Sequence, residues 1–250
     1  KRKSYITMLV FISTIIILFL IVNMNGVVIV AAGTGSRMNM GINKQFIKLE
    51  GKEIIAYTIE KFYNNSNIED IVVVVKEDES EFFKKEILDK YNFKNVKIAY
   101  GGKERQDSVY NGLKLLDEKC DVVLIHDGAR PFVSDKIIDK SIEEAKEHKA
   151  IVVGVPVKDT IKVIDNDKNI VDTPNRSVLW AVQTPQTFDY NILIDAYKDA
   201  FKNKFYGTDD AMLVERIGYK VKMLEGSYNN IKITTQEDLN IGSQILRVQD

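Results

Sequence analysis

The 250-residue sequence is poor in the residue types that build covalent or metal-based frameworks. Its single cysteine, Cys120, excludes an internal disulfide framework and any cysteine-rich zinc site. Two histidines, His126 and His148, argue against a multi-histidine metal centre and leave carboxylate-bound Mg²⁺ as the open alternative. No charge of one sign is in excess. With 35 basic and 36 acidic residues the formal net charge is −1, so nothing resembles a polybasic surface for a nucleic acid polymer. What is present, 45% hydrophobic and 28% charged residues, is ordinary for a globular protein and argues against wholesale disorder or a polytopic membrane protein. The length suits one sizeable core.

One segment departs from the average. After Lys1-Arg2-Lys3, the stretch Tyr5–Val22 has no charged residue and is almost wholly aliphatic or aromatic. A run of about 18 apolar residues behind a basic cluster has the length and flank of a membrane anchor, and no A-x-A-like cleavage site follows it. The other reading is an extension outside the folded domain, because Met24 stands just before the first clear strand. Either way, residues 1–25 are set apart from a domain spanning 26–250.

From Gly26 the pattern is regular. Short apolar runs at Val27–Val30, Ile71–Val75, Val96–Ala99, Val122–Ile125 and Ile151–Val155 read as strands buried on both faces. Between them, Ile54–Tyr63, Ser80–Lys90, Asp107–Leu116 and Asp135–Glu147 carry apolar residues at helical spacing. The alternation predicts an α/β fold, a Rossmann-like and mainly parallel sheet flanked by helices. Val157–Val171 breaks the rhythm with two short strands around Asp165-Asn166-Asp167-Lys168-Asn169 and reads as a projecting β-hairpin arm, about residues 157–176. Helices at Ile192–Phe201 and Asp209–Ile217, a strand at Lys220–Leu224 and a last helix from Thr235 complete the domain. No internal repeat, linker or low-complexity segment interrupts it.

Candidate chemistry begins at the first turn, Ala31-Ala32-Gly33-Thr34-Gly35-Ser36-Arg37-Met38, followed by Lys44. Small residues at a strand-to-helix turn let backbone amides cradle phosphate oxygens. Met38 occupies the third position of a G-x-G-x-x-G fingerprint, and no G-x-x-x-x-G-K-[ST] occurs, so neither standard nucleotide motif is met. The loop instead carries two cations, Arg37 and Lys44, suited to the charge that accumulates when an α-phosphate is attacked. Asp127 follows the strand Val122–Ile125, at the strand end where open α/β sheets bind ligands. His126 beside it reads as a packed, hydrogen-bonded neighbour.

Taken in order, A-A-G-x-G-x-R-M with Asn43-Lys44-Gln45-Phe46, Gly101-Gly102-Lys103-Glu104-Arg105-Gln106-Asp107-Ser108, His126-Asp127-Gly128-Ala129-Arg130-Pro131, Pro156-Val157-Lys158-Asp159-Thr160, Leu179–Gln186, Gly207-Thr208-Asp209-Asp210-Ala211 and Asn230-Ile231-Lys232-Ile233-Thr234 resemble the 2-C-methyl-D-erythritol 4-phosphate cytidylyltransferase family from about residue 26 to 247. The resemblance implies that a polyol phosphate oxygen attacks the α-phosphorus of CTP, releasing pyrophosphate, in non-mevalonate isoprenoid synthesis. It assigns catalytic roles to Arg37, Lys44, Arg176 and Lys232. CTP binding falls to Ala31, Ala32, Gly33, Gly35, Gly102, Lys103, Ser108 and Asp127, with Asp127 also at Mg²⁺ or another divalent cation. Acceptor binding falls to Arg130, Thr160, Thr184 and Thr208. The family's arm crosses to a second subunit, which implies a homodimer with Thr160 and Arg176 acting in the partner's site. Two departures stand out: Lys103 and Asn175 occupy positions where the family often has acidic residues.

Two other readings stay open on sequence. Ribitol-5-phosphate cytidylyltransferase shares the nucleotide loop, and Pro174-Asn175-Arg176 does not exclude it; A-A-G, Gly128-Ala129 and Leu179–Val182 favour methylerythritol phosphate. A membrane-tethered nucleotide-binding protein without turnover is suggested by residues 5–22 and disfavoured by the intact cations. The expected location is cytoplasmic, with membrane association only through residues 5–22. Residues 1–25 carry three basic and no acidic side chains, so the domain itself has a formal charge of −4. A net-acidic domain that binds two polyanions must concentrate its cations locally.

Overall fold

A computed structural model of the chain describes residues 24–33 and 44–249. The apolar run at 5–22, and with it the anchor reading, lies outside the described residues, as do Gly35 and Arg37. No described helix is long and apolar enough to cross a membrane.

The elements in chain order are β1 (Met24–Val30), β2 (Lys48–Leu49), β3 (Lys52–Glu53), α1 (Ile54–Tyr63), β4 (Asp70–Val75), α2 (Ser80–Phe83, continued by a π-helical stretch Lys84–Asp89), β5 (Lys97–Tyr100), α3 (Arg105–Leu113), β6 (Cys120–Asp127), α4 (Asp135–His148), β7 (Ala150–Pro156), β8 (Val163–Ile164), β9 (Ile170–Asp172), β10 (Trp180–Asp189), α5 (Tyr190–Lys202), α6 (Asp210–Arg216), β11 (Lys222–Glu225) and α7 (Gln236–Gln249). Seven strands form one sheet in the order β11-β7-β10-β6-β1-β4-β5. Six share one direction, and β10 runs antiparallel to both of its neighbours.

The continuous apolar runs follow from burial on both faces, because successive strand side chains point to opposite sides. Val27 and Ile29 of β1, Ile71, Val73 and Val75 of β4, and Val122 and Leu124 of β6 pack with helices α1, α2 and α4. The alternate residues Val28, Val72, Val74, Val123 and Ile125 pack with α3, α5 and α6. Each such side chain, fully buried, contributes about 1.5–3 kcal/mol. The helices stop and start where capping groups allow. Ser134 accepts from the Ile137 amide to open α4, Asp189 from the Asn191 and Ile192 amides to open α5, and Asp209 from the Met212 amide to open α6.

Three expectations are corrected. β1 begins at Met24, so Met24 and Asn25 belong to the sheet, and buried Asn25 donates from Nδ2 to the Asn67 carbonyl. The segment Leu179–Gln186, assigned no element from sequence, forms most of β10, the ten-residue strand between β6 and β7. The hairpin arm is real but narrower than its strand pattern: only Val163–Ile164 and Ile170–Asp172 pair, around an Asp165 turn whose Oδ1 accepts from the Asp167 and Asn169 amides.

The shared strand direction brings the ends of β1, β4, β5 and β6 to one edge. The loops that leave them, beginning at Ala31, Lys76, Gly101 and Gly128, surround the candidate site. The arm departs from β7 at the same edge, and β10 returns there, with Trp180 opposite Pro156.

Candidate active site

A cavity of about 480 Å³ opens at this edge. Of the residues expected from sequence, Ala32, Gly33, Gly102, Lys103, Ser108, Asp127 and Lys232 line it. Gln45, Lys76, Glu77, Glu104 and Arg105 also line it and had not been assigned a role.

The floor is built by backbone pairing. The Ala31 amide donates to the Val74 carbonyl and the Gly101 amide to the Val75 carbonyl, each at 2.8 Å, drawing the turns after β1 and β5 against β4. Gly101 is required by this approach, since a Cβ there would lie 2.5 Å from Ala32 Cβ. Ser108 is buried, and its hydroxyl closes the next turn: it accepts from the Gly102 amide at 3.0 Å and donates to the Glu104 carbonyl at 3.1 Å. With its proton committed to Glu104, Ser108 shapes the loop that carries Gly102 and Lys103.

Asp127 ends β6 beside three cations. Its Oδ2 lies 2.9 Å from Lys232 Nζ and 3.4 Å from Arg130 Nε. Burial works against ionisation here, but the charges of Lys232, Arg105 and Arg130 overcome it and hold the carboxyl far below the usual range. The contacts with Lys232 and Arg130 are both made through Oδ2. One ionised carboxylate oxygen in a cavity is the donor set that a phosphate-bound Mg²⁺ asks of a protein, and no group of three acidic, histidine or cysteine ligands occurs among the described residues. Asp127 therefore fits such an ion.

Behind Asp127 runs a polar relay. Its amide donates to Thr184 Oγ1 at 3.1 Å, Thr184 donates to His126 Nδ1 at 3.0 Å, and His126 Nε2 donates to the Arg130 carbonyl at 3.0 Å. A carbonyl only accepts, which fixes the proton on Nε2 and leaves Nδ1 to receive the threonine hydroxyl. Burial lowers the His126 pKa to about 4, keeping the ring neutral. The expectation that His126 is a packed neighbour matches this geometry.

Thr184 and Arg130 turn inward. Thr184 is buried with its hydroxyl engaged in the relay. Arg130 Nη1 donates to the Asn230 carbonyl at 2.8 Å, and Asn230 Nδ2 donates to the Thr184 carbonyl at 2.9 Å. The Ile233 amide also donates to the Ala129 carbonyl. These bonds tie the Asn230–Thr234 segment to the loop after β6 and thereby set Lys232 over Asp127.

Thr160, Arg176 and Thr208 do not line the cavity. Arg176 and Thr160 are exposed on the arm, with Arg176 Nη1 donating to the Lys158 carbonyl. Thr208 is exposed before α6 and donates to Met212 Sδ. Lys44 opens the short turn Lys44–Phe46. Sequence reasoning passed over Lys76, which follows β4 directly at the ligand-binding edge; its position after a buried strand was the available signal. Arg105 stood inside a quoted motif, but nothing local marks it as cavity-facing.

Comparison with known proteins agrees with this geometry. Residues 26–248 match the family described as 2-C-methyl-D-erythritol 4-phosphate cytidylyltransferase. The chain is 66% identical over 226 residues to the protein of that name from Clostridioides difficile strain 630, covering 90% of this chain and 95% of the relative. It is 49% identical over 221 residues to the one from Caldanaerobacter subterraneus subsp. tengcongensis, covering 88% and 97%. Among solved structures, 4-diphosphocytidyl-2C-methyl-D-erythritol synthase from Anaerococcus prevotii superposes with a TM-score of 0.80 at 35% identity, covering 90% of this chain and 96% of that one. The Francisella tularensis 2-C-methyl-D-erythritol 4-phosphate cytidylyltransferase gives 0.77 at 32%, covering 89% and 99%. The chain belongs to the 2-C-methyl-D-erythritol 4-phosphate cytidylyltransferase family.

Proposed function

We propose that the chain transfers the cytidylyl group of CTP to 2-C-methyl-D-erythritol 4-phosphate, giving 4-diphosphocytidyl-2-C-methyl-D-erythritol and pyrophosphate in isoprenoid precursor synthesis. The observation that carries this reading is the meeting, in one cavity, of the glycine turn after β1, the Gly101–Ser108 segment and the Asp127–Lys232 pair.

In the reaction a phosphate oxygen of the acceptor forms a bond to the α-phosphorus while the bond from that phosphorus to the oxygen bridging to the β-phosphate breaks, and pyrophosphate leaves. Such transfers depend on position and charge neutralisation more than on covalent help. The base lies against Ala31, Ala32 and the Gly102–Lys103 turn, which Ser108 holds in shape. Gly33, Gly35, Arg37 and Lys44 take the triphosphate, the two cations matching the charge that builds at the α-phosphorus. Lys232 brings the acceptor phosphate to the nucleotide and is aimed by Asp127. Arg130 and Thr184 act from behind, fixing the loop that presents Asp127 and Lys232. Mg²⁺ or another divalent cation, when bound through Asp127, supplies further neutralisation of the triphosphate.

Arg176 and Thr160 complete the acceptor site from a second copy of the chain, with Thr208 at its margin. Exposed apolar side chains on the arm support a homodimer: Ile164 is 53%, Ile170 62% and Val171 60% exposed, a surface that calls for a partner. The cytoplasm is the natural setting for a domain whose single cysteine, Cys120, is buried and unpaired.

Pyrophosphate release from CTP and Mg²⁺, followed in parallel with methylerythritol phosphate and with ribitol 5-phosphate, tests the assignment. Release with methylerythritol phosphate is expected. Release with ribitol 5-phosphate alone would replace the acceptor, and release with neither would make the chain a nucleotide binder.

A further inference from the structure

Arg105 opens α3 on the cavity wall, with 35% of its side chain exposed. Its Nη2 donates to Asp210 Oδ2 at 2.8 Å. Asp210 comes from α6 and is 1% exposed; its Oδ1 accepts from the hydroxyl of Tyr197, which is fully buried in α5. The same junction is held by Gln186, whose Oε1 accepts from the Asp210 and Ala211 amides at 3.1 Å each. Helices α3, α5 and α6 and strand β10 thus meet around the Arg105–Asp210 pair.

Stability alone does not account for the arrangement. A buried ion pair loses in desolvation much of what it gains in attraction, and apolar replacements are often neutral or better. What the pair does is fix direction. A guanidinium has five N–H donors, and among the described residues Arg105 uses one of its nitrogens on a protein acceptor. The remaining donors belong to a permanently charged, planar group at the cavity surface, the geometry suited to phosphate oxygens. Its charge acts within the site: after Lys232, Arg105 is the strongest influence holding Asp127 ionised.

We propose that Arg105 is a further nucleotide-binding group that contacts the triphosphate of CTP, and that Asp210 and Tyr197 are positioning residues that aim it. The inference rests on the reading of the cavity as a CTP site. It adds a cation to those of the first loop and links CTP binding to α6, whose preceding loop carries Thr208.

Calorimetric titration of the full chain with CTP, and with cytidine by competition, tests it in the presence of Mg²⁺. In Arg105→Ala, CTP affinity falls about 10-fold or more while cytidine affinity stays within about 2-fold, and Arg105→Lys recovers part of the loss. Tyr197→Phe keeps the ring but frees one Asp210 oxygen, and weakens CTP about 2- to 5-fold in the same selective way. In turnover the KM for CTP rises and that for the polyol phosphate does not. Equal weakening of CTP and cytidine, or a matching rise in both KM values, would reduce Arg105 to a scaffold residue and overturn the proposal. Should Arg105→Ala fail to fold, Arg105→Gln with Tyr197→Phe gives the same comparison. If the unmodified chain itself does not bind CTP, it is the reading of the cavity that fails.

Discussion

Replacing Asp127 with asparagine removes one negative charge and almost no volume. The carboxylate oxygen lies 2.9 Å from Lys232 Nζ and 3.4 Å from Arg130 Nε. At an effective dielectric constant of about 20, unit charges at such separations attract by about 5 kcal/mol each. Desolvation and the 40% exposure of the Lys232 side chain offset most of that. Breaking a fully buried pair costs about 3–5 kcal/mol; with Lys232 able to turn toward water, we expect about 1–2 kcal/mol and a Tm lower by about 2–8 °C. The effect on ligands runs the other way. Lys232 and Arg130 remain without their counter-charge, so metal-free CTP binds Asp127→Asn at least as tightly as the unmodified chain. Mg²⁺-dependent turnover falls by about 10²-fold or more, since the carboxylate that would hold the ion is gone. Calorimetry with CTP in chelator and in Mg²⁺, beside pyrophosphate release, measures both. Turnover within about 3-fold of the unmodified chain at unchanged Mg²⁺ dependence would refute the reasoning. The pH dependence has a fixed sign. Because the folded carboxyl lies below its unfolded value of about 3.9, its stabilisation is complete above that pH and is lost as pH falls toward the folded value; Asp127→Asn lacks this acid limb.

Thr184→Val keeps the side-chain shape but leaves the Asp127 amide and His126 Nδ1 without a partner, so urea unfolding should show a loss of about 1–3 kcal/mol together with reduced turnover; unchanged stability would contradict the relay. Gly101→Ala places a methyl 2.5 Å from Ala32 Cβ and should cost about 1–3 kcal/mol, with a rise in KM for CTP that equilibrium binding confirms or denies. Mixing Lys232→Ala and Arg176→Ala, each inactive alone, should restore part of the activity if arms are exchanged between copies. No recovery in a mixture shown to form hybrid dimers would place Arg176 in its own subunit's site.

Much of the fold was legible because its strands are covered on both faces, which turns β1, β4, β6 and β7 into unbroken apolar runs that no solvent-facing strand would show. β10 hid for the opposite reason. Its buried middle is Gln183-Thr184-Pro185-Gln186-Thr187, polar residues with a proline, which reads as loop. They are polar because they serve the site and its supports: Thr184 meets His126, Gln186 meets Asp209 and the start of α6, and Thr187 donates to Ser141 at 3.0 Å. Local patterning fails where function sets the residue types. The site divides the same way. The turn after β1 and Asp127 are marked by position at strand ends. The pairing of Asp127 with Lys232, and of Arg105 with Asp210, depends on contacts between distant segments that no spacing encodes. Thr184 and Arg130 carry groups able to meet a phosphate, and only the packed structure shows the Thr184 hydroxyl engaged with His126 and Arg130 bonded to Asp127 and the Asn230 carbonyl.

The central claim concerns which bonds form and break, and isotope labelling reads it directly. Methylerythritol phosphate carrying ¹⁸O in all phosphate oxygens, incubated with CTP, Mg²⁺ and the full chain, should yield a cytidine diphosphate-linked product that retains every label, with unlabelled pyrophosphate by mass spectrometry. Label in the pyrophosphate, or no nucleotide-linked product from this acceptor, would contradict attack by the acceptor phosphate on the α-phosphorus of CTP.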